Sequence, residues 1–126
     1  MFSVNGNVIQ LSRGDTGAVK FTANATIYGT GQTYHFGERD RALFTIRNMS
    51  TGQTVKEKVH TITNDEFVVY FKNADTDQIT PGTYSWDVRY VLNAHFDGTG
   101  RLADGDQVIT PNQPMNLQLL TVVGDI

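Results

Sequence analysis

The sequence contains no cysteine, which excludes a disulfide scaffold, a thiolate nucleophile and a cysteine-ligated zinc or iron–sulfur centre. Glutamate is scarce at 3 residues, and alanine and leucine together supply only 14, so the usual material of amphipathic helices is missing. Long apolar runs are absent as well, and Met1-Phe2-Ser3-Val4 leads directly into polar Asn5-Gly6-Asn7; neither a membrane-spanning helix nor a signal peptide is expected. There are no basic runs, and 10 Lys+Arg against 13 Asp+Glu leave a formal net charge of −3. That balance argues against a nucleic-acid backbone as the main partner.

What is present points to sheet. Val, Ile and Thr total 35 of 126 residues, and such β-branched side chains fit a pleated surface. Aspartate outnumbers glutamate 10 to 3, and most aspartates stand beside Gly, Asn or Thr, where a short carboxylate accepts hydrogen bonds from nearby backbone amides in turns. The length and the 39% hydrophobic content suit a single domain over residues 1–126.

Period-two patterning places the strands. The clearest runs over residues 83–92, with Tyr84, Trp86, Val88, Tyr90 and Leu92 on one face and Ser85, Asp87 and Arg89 on the other. Pro81-Gly82 opens it and Asp97-Gly98-Thr99-Gly100 follows it as a turn. Further strands are expected at 8–11, 19–25, 42–47, 55–62, 67–71, 101–110 and 117–123. Residues 67–71 are apolar on both faces, as in a central strand or in one whose outer face, at Val68 and Tyr70, meets a partner. These elements predict an all-β, immunoglobulin-like antiparallel β-sandwich of about seven to eight strands, and no helix is needed. One segment breaks the rhythm. Residues 26–41 carry Tyr28, Tyr34, His35, Phe36 and the cluster Glu38-Arg39-Asp40-Arg41, and they serve either as a contact loop or as an irregular edge whose aromatics pack back on the sheet.

Motifs for chemistry are thin. No Ser or Thr stands in a recognisable nucleophile–base pattern, and His35, His60 and His95 have no metal-ligand spacing. Asn73-Ala74-Asp75-Thr76-Asp77 places oxygen ligands on alternate residues as a calcium loop does, but lacks the glycine and terminal glutamate of an EF-hand and reads as a turn. Arg13-Gly14-Asp15, a tripeptide that integrins recognise, also reads as a strand-connecting turn. No cofactor, no metal and no catalytic residue is expected, and the chain is read as a non-enzyme. Gly14, Gly82 and Gly105 are expected where a Cβ would hinder the backbone, Asp15 in the turn that follows Gly14, and Tyr84 and Trp86 in the core.

Gly14-Asp15-Thr16, Asp40-Arg41-Ala42-Leu43-Phe44-Thr45-Ile46-Arg47, Asn73-Ala74-Asp75-Thr76, the stretch from Pro81-Gly82-Thr83-Tyr84 to Tyr90, and Asp104-Gly105-Asp106-Gln107-Val108-Ile109-Thr110-Pro111 resemble small phage and prophage structural proteins. They are similar to the N-terminal immunoglobulin-like domain of the phage baseplate upper protein family, over roughly residues 8–123. The resemblance implies a virion component made in the bacterial host cytoplasm, joining other virion proteins and forming a homo-oligomer without nucleic acid or membrane. Family members usually continue into a receptor-holding or trimerising region, whereas this sequence stops at Ile126, which fits a decoration, head-fibre or connector-type protein. Tyr28, Tyr34, Phe36, Val68 and Tyr70 are the expected partner contacts. A carbohydrate-binding sandwich using Tyr28, Tyr34 and Asp97 is the alternative.

Overall fold

A computed structural model of the chain describes residues 2–23, 31–96, 107–109 and 119–123. The elements run β1 (Phe2–Asn5), β2 (Val8–Ser12), β3 (Gly17–Thr22), β4 (Arg41–Asn48), β5 (Thr54–Thr61), β6 (Glu66–Phe71), α1 (Asn73–Thr76), β7 (Gly82–Leu92), β8 (Gln107–Ile109) and β9 (Leu119–Val123). They form an all-β sandwich. One sheet has the order β1-β2-β9-β7-β4-β5, and the other is the pair β3-β6. β9 pairs with the first part of β7 and β8 with its last part, at Tyr90, Val91 and Leu92. Since β4 occupies the opposite side of β7, β8 and β9 lie end to end along one edge.

The pairing and the 73–76 segment differ from expectation. The large sheet is mixed, because β2 runs parallel to β9, with Ile9 opposite Leu120 and Leu11 opposite Val122; among the described residues the other strand pairings are antiparallel. A single helical turn, α1, also stands where only a turn was expected: the Asp75 carboxylate accepts the Lys72 amide at 2.8 Å, and the Asp77 amide donates to the Asn73 carbonyl at 3.0 Å.

The core lies between the sheets, as the alternation requires. From the large sheet come Ile9, Leu11, Ala42, Phe44, Ile46, Tyr84, Trp86, Val88 and Tyr90, and from the small one Phe67, Val69 and Phe71. Phe44, fully buried, is the centre of an aromatic cluster: it stacks on Trp86 with centroids 5.4 Å apart and meets Phe71 edge-on at 5.7 Å. Phe21 of β3 joins it from the other sheet, stacking on Phe67 at 5.1 Å. The Trp86 indole N–H donates to the Asn7 carbonyl at 3.0 Å, so its burial strands no donor.

Each side of the sandwich is closed by a different device. Phe2 of β1 lies over Gly17 of β3, where a Cβ would come within 2.5 Å of its ring, and it packs on Phe71 at 5.7 Å. On the far side β5 turns its polar face inward. Lys56, Lys58 and His60 stand opposite Ile46, Phe44 and Ala42, while Val55 and Val59 are exposed. The Lys58 ammonium donates to the Tyr70 carbonyl and to the Asp75 carboxylate, each at 2.6 Å. Lysine thus covers a carbonyl on the free edge of β6, a guard against edge-to-edge association. Burial opposes the charge on Asp75, but the Lys58 and Lys72 hydrogen bonds, the Lys58 charge and the Lys56 contact together hold its carboxyl below the usual carboxylate range.

Candidate functional site

Residues 31–41 are held by two carboxylates. Asp40, 4% exposed, accepts the Tyr34 hydroxyl at 2.7 Å and the Gly37 amide at 2.8 Å on one oxygen, and the Asn93 amide at 2.9 Å on the other. Asp65 sits in the two-residue turn between β5 and β6, where Asn64 and Asp65 both have positive φ and Thr63 and Glu66 exchange backbone hydrogen bonds. Its carboxylate accepts the Phe36 amide at 3.2 Å and approaches His35 Nδ1 at 3.4 Å, and its carbonyl accepts the Ala23 amide at 2.7 Å. Burial first, then the hydrogen bond to Asp40 and its negative charge, push the Tyr34 phenol up to about 12. Arg41 stacks over the exposed ring of Phe96, 5.2 Å from its centroid, at the same end of the molecule.

The residues expected to meet a partner therefore separate. Tyr28 and Asp97 lie outside the described residues. Tyr34 and Phe36 are half-buried; Phe36 packs on Tyr90 at 4.9 Å and Tyr34 meets Phe36 edge-on at 5.1 Å. Their rings are thus engaged in anchoring the loop on the core, the second of the two roles that the sequence leaves open for this segment. Val68 is half-buried on the outer face of β6. Tyr70 beside it is 58% exposed, the most exposed large hydrophobic among the described residues. The face they share is flanked by Ala18 and Lys20 of β3, with Lys20 paired to Glu66 at 2.7 Å.

Most of the expected structural residues fall within the described part of the chain. Gly14 has φ +84°, a conformation that favours glycine, and its carbonyl accepts the Asn73 side-chain amide at 2.8 Å. Asp15 closes the turn by accepting the Ser12 amide at 2.8 Å. Arg13 donates to the Asp77 carbonyl at 2.8 Å, so all three residues of Arg13-Gly14-Asp15 are tied into the fold. Gly82 opens β7, Tyr84 and Trp86 are buried, and the Tyr84 hydroxyl donates to the Thr80 carbonyl. Gly105, with Asp104 and Asp106, lies outside the described residues.

Sequence patterning gave no sign of Asp40 as a hub, since it stood in a run of charges. Asn93 was equally silent, although its φ of +52° turns its amide toward Asp40. The 73–77 stretch, which shares part of a calcium-loop pattern, places Asp75 between Lys56 and Lys58 at 3.4 and 2.6 Å, so two ammonium groups balance its charge. Among the described residues no group of three or more His, Asp or Glu is arranged to hold a metal ion. His60 stacks on Phe67 at 5.9 Å, and burial, then the Lys58 charge, lowers its pKa.

At the opposite end from Asp40, the β4–β5 turn and the approach to β7 enclose an open groove of about 560 Å³. Compared with protein-family models, curated proteins and solved structures, the chain matches none.

Proposed function

We propose that this chain is a non-enzymatic structural component of a bacteriophage particle, acting through protein–protein contacts with other virion proteins and with copies of itself. The single observation that carries the assembly reading is Tyr70: a large aromatic, 58% exposed, on the outer face of a strand whose other side is locked into the core. Tyrosine in that setting offers contact area at low entropic cost, as binding hot spots do. The particle itself comes from the chain-wide resemblance to phage structural domains. Two strands of 6 residues span only about 20 by 10 Å at ordinary strand rise and spacing. Since a stable interface needs roughly 800 Å² per partner, the face serves as the anchor of a larger contact.

A sugar-binding role asks for an open aromatic face, and Tyr34 instead packs against Phe36 and donates its hydroxyl to Asp40. Light scattering on the purified chain, with mass spectrometry of purified particles, tests the proposal. The expected result is an oligomer that is also found in particles, with Tyr70→Arg shifting it toward monomer while its melting temperature changes little. A persistent monomer absent from particles ends the reading.

A further inference from the structure

We propose that His60 is an acid-sensitive latch: the neutral imidazole holds the edge strand β5 against the core, and its protonation releases that strand. The latch does not depend on what the chain assembles with. Among the described residues β5 pairs with β4 alone, and its outward valines, Val55 and Val59, are 41% and 42% exposed. Of its inward side chains, Lys56 and Lys58 reach out to Asp75. The His60 ring instead lies on Phe67 of β6, with centroids 5.9 Å and planes 23° apart. Phe67 is 3% exposed and stacks in turn on Phe21 at 5.1 Å, so His60 is the ring by which β5 joins the aromatic cluster. Its Nε2 is buried and has no hydrogen-bond partner among the described residues.

The chemistry of that position works against a cation. Protonation makes both ring nitrogens donors, and Nε2–H would then carry charge into a place with neither water nor an acceptor. On the β4 side Ala42 stands opposite, and the Asp40 carboxylate that precedes the strand is occupied by three donors. At the β5–β6 turn Asp65 accepts the Phe36 amide and faces His35, and Glu66 pairs with Lys20. Asp75 of α1 holds Lys56 and Lys58. None of these carboxylates bonds to Nε2; the charge that acts on the ring is the Lys58 ammonium, two residues away on the same face of β5. The face of Phe67 offers a cation some attraction. Burial first and Lys58 second outweigh it, and they hold the imidazole pKa below the ordinary value of about 6.5. Stability from the neutral ring is therefore fully present above pH ~6.5 and is lost as the pH falls through the folded-state pKa. β5 yields first, because its outer face is open to solvent and the described sheet holds it from one side.

Amide hydrogen exchange on the full-length chain, corrected for the pH dependence of the intrinsic rate, tests the latch between about pH 7.5 and about pH 5, above the ~4 at which carboxyl groups ordinarily titrate. The open population of β5 should grow by up to roughly tenfold per pH unit below ~6.5 until the folded ring itself takes a proton, while the amides that join β4 to β7 hold. His60→Phe, which keeps a stacked ring but cannot charge, should abolish that growth. His35→Gln, at an imidazole 83% exposed, should leave it intact. A carbon-13 NMR titration of the imidazoles in the parent chain should find His60 ionising below the ordinary histidine value, a reading that stands even where His60→Phe fails to fold. An ordinary or raised His60 pKa, acid opening spread evenly over β4 and β7, equal opening in His60→Phe, or opening that vanishes in His35→Gln would each overturn the latch.

Discussion

A single carboxylate, Asp40, decides how the aromatic loop is used. Three donors converge on it, so it is a buried charge fully occupied by hydrogen bonds, the condition under which burying one is tolerable. The consequence is measurable at Tyr34. Its neutral form is favoured in the folded chain, with the pKa pushed up from the ordinary tyrosine value of about 10 to about 12, so the associated stability is fully present below pH ~10 and is lost as pH rises toward ~12. A carbon-13 NMR titration of the tyrosine ring carbons should show this late ionisation, and Asp40→Asn should return it toward 10 by removing the charge. A Tyr34 that titrates normally in the parent chain would remove the hub assignment. The sequence flagged Tyr34 and Phe36 as important but could not say whether they faced inward, because aromatic residues in loops serve both ends and only the reach of Asp40 and Tyr90 settles it.

Among the elements, β5 is the one whose pattern misleads most. Its valines suggest a buried face, yet Val55 and Val59 are exposed and Lys56, Lys58 and His60 turn toward the core side. The reason is position. At the edge of the large sheet the inward face meets the rim of the core and not its centre, so long cationic side chains can lay their stems on apolar neighbours and reach Asp75 and the Tyr70 carbonyl. β1 was not expected at all, since four residues with a single large aromatic make a weak strand signal. Its placement depends on Gly17, whose missing side chain gives Phe2 its seat. Gly17→Ala should lift Phe2 off that seat, expose β1 to faster amide exchange, and cost about 1–3 kcal/mol as overpacking does. Unchanged exchange in β1 would show that Phe2 does not depend on this contact.

Over the whole molecule, one aromatic cluster joins the two sheets. Phe44 stacks on Trp86 and touches Phe21 and Phe71 of the facing sheet. Phe44→Ala should therefore cost about 3–5 kcal/mol, a large share of the roughly 5–15 kcal/mol that stabilises an ordinary domain, and should lower the chemical-denaturation midpoint accordingly. A loss below about 1 kcal/mol would mean that the sheets are held together elsewhere. On the outside, a smaller cluster of Leu43, Val91 and Ala94 lies on the opposite face of the large sheet, where strict alternation predicts solvent. Alternation identifies two faces but cannot tell which of them other segments cover.

The sequence by itself determined the sheet class, the positions of most strands and the inner face of β7, because those follow from β-branched content, turn residues and a period of two, all of which are local. The tertiary structure alone decided that β2 and β9 run in parallel, that Tyr34 and Phe36 serve the core, that β5 turns its lysines inward, and that Tyr70 is left in solvent. Each of these depends on which distant segment arrives alongside, and chain spacing carries no record of that arrival.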